Sequence, residues 1–202
     1  MTKKSHDSNK LSEEQLIAMS KRLKGDADQL LDSSDLLSML SHHGEPKLVG
    51  SYPAGLMVHG DIDLHVVRNK KFNKSEVLKI LAHIVARTPF TQSGYYHCHW
   101  LNSGKNPNLP RGYYIGLKTM YRDREWKIDL WFVSSAEQQR QEERLNICNI
   151  QLSHAQRITI LCLKQYRNDA DIKVSGQKVY EAVLINGVTT IAGFRKWMKK
   201  YL

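Results

Sequence analysis

Two short stretches alternate apolar residues with charged ones, and that alternation limits the possible folds more than any other feature of the chain. Across 58–67, Ile62, Leu64 and Val66 share one face of an extended strand, while Asp61, Asp63 and His65 share the other. Across 126–133, Ile128, Leu130 and Phe132 line one face and Lys127, Asp129 and Trp131 the opposite one. A strand with one apolar face must bury that face against a second layer. Both stretches therefore belong to a sheet with helices packed behind it. Two acids two residues apart on a strand are separated by about 7 Å along the chain, so their side chains can lean toward a shared point. An acid inside an apolar strand needs a partner, because an unpaired buried carboxylate is costly. For Asp129 a metal ion would serve, and so would a salt bridge to Lys118 or to an arginine.

The remaining segments surround these strands with helical periods. Residues 1–10 are polar and read as a disordered tail. Ser12-Glu13-Glu14-Gln15 is a capping box that opens a helix, with Leu11 placed to staple against Leu16. A second helix is expected over 30–40, stopped by Gly44-Glu45-Pro46. A short apolar strand over 47–51 runs into Gly50 and Ser51, and a helix over 75–87 ends at Pro89. Strands are expected over 95–100, 113–121 and 126–133. The last two form a hairpin joined by Arg122-Asp123-Arg124-Glu125. From Ser135 onward the pattern is helical. A polar, exposed stretch covers 137–145, and a second capping box at Ser153 opens an apolar helix to about Tyr166. Another helix covers 177–185, closed by Asn186-Gly187. The last helix carries Ile191, Phe194, Trp197, Met198 and Tyr201 on one stripe. The expected architecture is α+β: a mixed, twisted sheet with flanking helices over 11–135, and a helical C-terminal lobe over 136–202.

The formal charge of +10 points to an anionic partner, whether nucleic acid, a nucleoside triphosphate or an acidic surface. Three cysteines, odd in number and far apart, make neither a disulfide framework nor a Cys-x-x-Cys zinc pattern. His97-Cys98-His99 puts two histidines on one strand face, but no second ligand pair stands at a zinc spacing. No apolar run approaches the roughly 20 residues of a membrane helix, and no apolar stretch follows Lys3 and Lys4 as a secretory signal would require. A cytoplasmic protein with reduced thiols is expected.

The segment Gly50-Ser51-Tyr52-Pro53-Ala54-Gly55-Leu56-Met57-Val58-His59-Gly60-Asp61-Ile62-Asp63-Leu64 joins two kinds of chemistry. Backbone amides around a Gly-Ser turn can form a nest for phosphate oxygens. Paired carboxylates can hold divalent ions about 3.5–4 Å apart, and Mg²⁺ favours a few carboxylates plus substrate phosphates. Gly-Ser, then apolar-Asp-apolar-Asp-apolar, then a later strand with apolar-Asp-apolar resembles the DNA polymerase β-like nucleotidyltransferase superfamily. The resemblance covers about 47–133 and extends loosely to the helices behind.

That resemblance implies that Asp61, Asp63 and Asp129 bind two catalytic Mg²⁺ ions, with Mn²⁺ as a substitute. It also implies that Gly50 and Ser51 contact the triphosphate. Lys118, on the strand paired with that of Asp129, and Lys164, on the first apolar C-terminal helix, are candidates to neutralise phosphate charge. The implied reaction moves a nucleoside monophosphate from a nucleoside triphosphate to an acceptor hydroxyl and releases pyrophosphate. The acceptor is left open among a small molecule, a protein side chain and an RNA end. Pyrophosphoryl transfer of the guanosine tetraphosphate synthetase type, and a non-catalytic nucleotide- or RNA-binding module, are the alternatives on this scaffold. Gly60 departs from the family pattern, where a serine often precedes the first Asp.

Overall fold

The computed structural model describes residues 11–86, 95–104, 106, 109–144 and 147–201, and for 95–101 the backbone alone. The expected tail at 1–10 thus lies outside the described residues. Helix α1 (Glu13–Ser34) starts at the capping box, where the Gln15 amide donates to Ser12 and the Ser12 amide donates to the Gln15 side chain. The sequence suggested two separate helices here, but α1 continues unbroken through Gly25 to Ser34. Leu23, Ala27, Leu30 and Leu31 recur at helical spacing and are buried. That packing outweighs the weak helix propensity of Gly25, Asp26 and Asp28. Asp35 breaks the run in a left-handed conformation (φ 51°), and the short α2 (Leu36–Ser41) follows.

The sheet comprises β1 (Glu45–Val49), β2 (Asp61–Arg68), β3 (Tyr95–Asn102), β4 (Gly112–Tyr121) and β5 (Arg124–Ser134), with α3 (Lys74–Val85) between β2 and β3. Their spatial order is β1-β2-β5-β4-β3. β2 and β5 run parallel; every other neighbouring pair is antiparallel. β4 and β5 form the expected hairpin, but the connection is two residues rather than four. Arg122 and Asp123 take left-handed φ values of 50° and 59°. A turn of that kind matches the right-handed twist of the strands it joins. It sets Gly116 opposite Asp129 and Lys118 opposite Lys127.

The apolar faces pack as their alternation requires. Ile62, Leu64, Val66, Ile128, Leu130 and Phe132 share one core with Leu23 and Leu30 of α1 and Ile80 and Ile84 of α3. After β5 the chain forms α4 (Ser135–Glu142); Gln139 and Glu142 are exposed as the polarity suggested, but one side of the helix is buried. Glu137 and Gln138 are buried because they are satisfied. Glu137 accepts from Arg140, Gln141 and the Arg111 amide, and Gln138 meets His65 Nδ1 at 2.6 Å. Then come α5 (His154–Asp169), α6 (Gly176–Tyr180), a π turn at Glu181–Ile185, and α7 (Ile191–Tyr201). A second core joins Ile160, Leu163, Val179, Phe194 and Trp197 to Leu16 of α1 and to Leu56 and Val58. Helix α1 therefore serves both cores. Among the described residues, no helix is long and apolar enough to cross a membrane.

Candidate functional site

The three carboxylates singled out by the sequence come together. One oxygen from each of Asp61, Asp63 and Asp129 lies within 4.8 Å of the others. Parallel pairing is the cause, because it places Asp61 opposite Lys127 and Asp63 opposite Asp129 on one sheet face. Gly60 allows the strands to begin this close. A Cβ there would lie 2.8 Å from the Glu125 carbonyl oxygen and 3.0 Å from the Trp126 ring, and the Gly60 carbonyl accepts from the Lys127 amide at 2.9 Å. The departure from serine at this position thus has a steric reason.

The electrostatics of the cluster are unfavourable until a cation enters. Asp63 is pushed up to about 8, first by burial and then by the charges of Asp61 and Asp129. Burial acts on Asp61 in the same direction, but the hydrogen bond from His59 and the charge of Lys127 outweigh it and hold Asp61 below the usual carboxylate range. Lys127 Nζ donates to Asp129 Oδ2 and the Tyr114 hydroxyl to Asp129 Oδ1, both at 2.6 Å. Asp61 Oδ1 is buried without a hydrogen-bond partner. Lys127 and the more distant charge of Lys164 do not balance three carboxylates. An all-oxygen, acceptor-only donor set with an orphaned buried oxygen fits a hard divalent cation such as Mg²⁺ or Mn²⁺.

The loop between β1 and β2 sits directly on this cluster. Gly50 has φ 73°, and a Cβ on it would lie 2.5 Å from Asp63 Oδ2. Only glycine both adopts that conformation cheaply and leaves room for the carboxylate. Ser51 is buried, and its carbonyl accepts from the Leu56 amide at 2.9 Å. Two helices hold the loop in place. From α1, Ser20 Oγ donates to the Gly55 carbonyl at 2.9 Å and Asp28 accepts from the Tyr52 hydroxyl. From α5, Arg157 Nη1 donates to the carbonyls of Ala54 and Gly55 at 2.9 and 3.1 Å.

Lys164 also reaches the loop from α5. It is 3% exposed, and its Nζ donates to the Leu56 carbonyl at 2.7 Å. Burial, reinforced by the charge of Arg167, lowers its pKa to about 8, while Asp61 and Asp63 pull the other way. Lys118 takes a different position. It lies at the hairpin end, half-exposed, in a 2.9 Å ion pair with Glu125. His97 and His99 lie on β3 where side chains fall outside the described residues.

Sequence reasoning did not assign roles to Lys127, Tyr114, His59 or Arg157. Lys127 carries a usable signal, since it precedes Asp129 by two residues on the same strand face. Tyr114 becomes legible only when the turn length is known, because that length sets the β4–β5 register. Nothing local marks Arg157.

Comparison with known proteins gives no matching family model and no matching curated protein. Among solved structures, the chain is similar to Cid1, an RNA terminal uridylyl transferase. That likeness has a TM-score of 0.47 and 18% identity over 73% of this chain and 40% of that one. It is also similar to a chain of the poly(A) polymerase complex GLD-2–GLD-3, with a TM-score of 0.48 and 13% identity over 77% of this chain and 50% of that one. The chain therefore spans half or less of the length of these structures.

Proposed function

We propose that this chain is a divalent-metal-dependent nucleotidyltransferase that moves a nucleoside monophosphate from a nucleoside triphosphate to an acceptor hydroxyl. The observation that carries this reading is the convergence of Asp61, Asp63 and Asp129 within 4.8 Å, directly against the Gly50-Ser51 turn. Asp61 and Asp63 would hold the divalent ions from one strand, and Asp129 would complete the ligand set from the next. Two bound Mg²⁺ ions would lower the pKa of the acceptor hydroxyl and neutralise charge on the triphosphate. The amides around Gly50 and Ser51 cradle phosphate oxygens. Lys164, held by the same loop, adds positive charge on the triphosphate side. The acceptor oxygen attacks the α-phosphorus in line. A new O–P bond forms, the bond to the pyrophosphate oxygen breaks, and the hydroxyl proton passes to a carboxylate oxygen of Asp129.

Calorimetric titration of ATP, GTP, CTP and UTP, each with and without Mg²⁺, tests this assignment. The wild type binds at least one of them only with metal, and the Asp61→Asn/Asp63→Asn double variant loses that binding. Equal, metal-indifferent binding by both proteins would remove the carboxylates from the nucleotide site and leave a nucleotide-binding module. With an acceptor present, pyrophosphate release reports nucleotidyl transfer, whereas AMP release reports pyrophosphoryl transfer.

A further inference from the structure

One side of the carboxylate cluster is occupied by the Gly50-Ser51 loop and Lys164, and the opposite side carries aromatic side chains. On the acid-bearing face, the row next to Asp63 and Asp129 consists of His65, Trp131 and Tyr114, in register across β2, β5 and β4. Tyr114 is buried, and its hydroxyl is fixed on Asp129 Oδ1 at 2.6 Å. Its ring lies 5.0 Å from that of Trp131 at an angle of 44°. On the other flank His65 is buried and locked by Gln138 at 2.6 Å. Trp131 thus lies against the fixed ring of Tyr114 and in register with the fixed His65, yet it remains partly exposed, unlike Trp126 and Trp197. A rigid, partly open indole on a polar sheet face is not needed for the core, whose residues lie on the opposite face. The part of the indole left open offers an aromatic face that suits a planar ring.

We propose that Trp131, backed by Tyr114, is the stacking platform for the base of the acceptor, and that the acceptor is a nucleoside-bearing molecule whose sugar hydroxyl then reaches Asp129. This rests on the nucleotidyltransferase reading and names its acceptor class. Three observations converge on it. The platform is one side-chain row from the acids, about 7 Å along the strand, which is close to the span from a nucleobase to its ribose hydroxyl. The Gly50-Ser51 loop and Lys164 lie on one side of the cluster, where the proposed function puts the triphosphate, which leaves the β4–β5 side to the acceptor. The +10 charge of the chain attracts a phosphate-bearing acceptor. A mononucleotide and the 3′ end of a single-stranded RNA share this chemistry.

The test is fluorescence anisotropy of a labelled oligouridylate and a labelled oligoadenylate with the full chain and Mg²⁺, in the absence of nucleoside triphosphate. Trp131→Ala weakens binding about tenfold or more, in line with the loss of one stacked base, and Trp131→Phe stays near the wild type. In the calorimetric titration both variants still bind triphosphate as the wild type does. This separates loss of the platform from loss of the fold or of the donor site. Unchanged oligonucleotide affinity in Trp131→Ala overturns the proposal, as does equal weakening in Trp131→Phe. Unlabelled UMP and AMP distinguish the sources: displacement of the oligonucleotide by the monomer assigns the platform to a small acceptor, and displacement only by oligomers assigns it to an RNA end. If the wild type binds no triphosphate but the tenfold difference persists, the transferase reading fails and the stacking site stands.

Discussion

Asp63 has Asp61 two residues away on its own strand, Asp129 directly across on the next, and the Gly50 backbone against its carboxylate. Burial, and then the charges of Asp61 and Asp129, raise its pKa to about 8, against about 4 in an unfolded chain. The consequence for stability has a definite sign. Between about pH 4 and about pH 8 the folded, metal-free protein holds a proton that the unfolded chain has released. Stability therefore falls as pH rises through that window and levels off above it. Urea unfolding in the presence of a chelator measures this directly. The wild type loses stability from pH 5 to pH 8, whereas Asp63→Asn is flatter across the window and more stable than the wild type at pH 8. Mg²⁺ reverses the ranking at pH 8, because it binds the folded wild type and stabilises it by mass action. A pH slope unchanged in Asp63→Asn would assign the proton to another group. The three acids were legible in the sequence because a two-residue period fixes which face each occupies. The burial of Lys164 was not legible, because it follows from how α5 meets the loop at Leu56, a contact between residues 108 positions apart.

The β4–β5 hairpin shows what pattern can and cannot specify at the scale of an element. Alternation identified both strands and both faces. It did not fix the turn, because Arg122-Asp123 lacks the Asn-Gly signature of a two-residue connection. A four-residue connection would have set Lys118 across from Asp129. The shorter one sets Gly116 there and brings Tyr114 within reach of the Asp129 carboxylate instead. The faces survive this difference because the register moves by two residues, a full side-chain period. Arg122 ties the turn to α1 through a 2.7 Å ion pair with Asp26, so tertiary contact supports what the local sequence does not favour. Asp123, at φ 59°, occupies the position where such turns place glycine. Asp123→Gly relieves the left-handed strain of a residue with a Cβ and loses part of that gain to the entropy of the unfolded chain. The expected net effect is a stabilisation of roughly 0.5–1 kcal/mol, read as a rise of about 1–4 °C in the thermal midpoint. Metal binding stays unchanged. An unaltered or lower midpoint would mean that the flanking strands already absorb the strain. Helix α4 teaches the complementary lesson: its polarity suggested exposure, but polar side chains that satisfy one another can be buried.

At the scale of the whole molecule, the site sits where the two cores meet. Helix α1 contributes Leu16 to one core and Leu23, Leu30 and Leu31 to the other. The loop at 50–56 is likewise held from both sides, by Ser20 and Asp28 of α1 and by Arg157 and Lys164 of α5. The turn at Gly50 and Ser51, proposed to face the triphosphate, is therefore braced by the docked C-terminal helices as well as by α1. Arg157 is the sharpest test of this dependence, because it joins the loop without touching the carboxylates. Arg157→Ala removes two hydrogen bonds from a charged donor to loop carbonyls, an interaction worth about 1.5–3 kcal/mol apiece at most. The loss should appear locally rather than globally. Hydrogen exchange should quicken at the amides of Gly55 and Leu56, which bond to Tyr52 and Ser51 within the loop, while the paired amides of β2 and β5 keep their protection. Mg²⁺-dependent binding of the nucleoside triphosphate should weaken in step with the faster exchange, although Asp61, Asp63 and Asp129 are untouched. Faster exchange with undiminished nucleotide affinity would separate the loop from the triphosphate. Unchanged exchange would show that α1 alone holds the turn against the sheet, without bracing from the C-terminal helices.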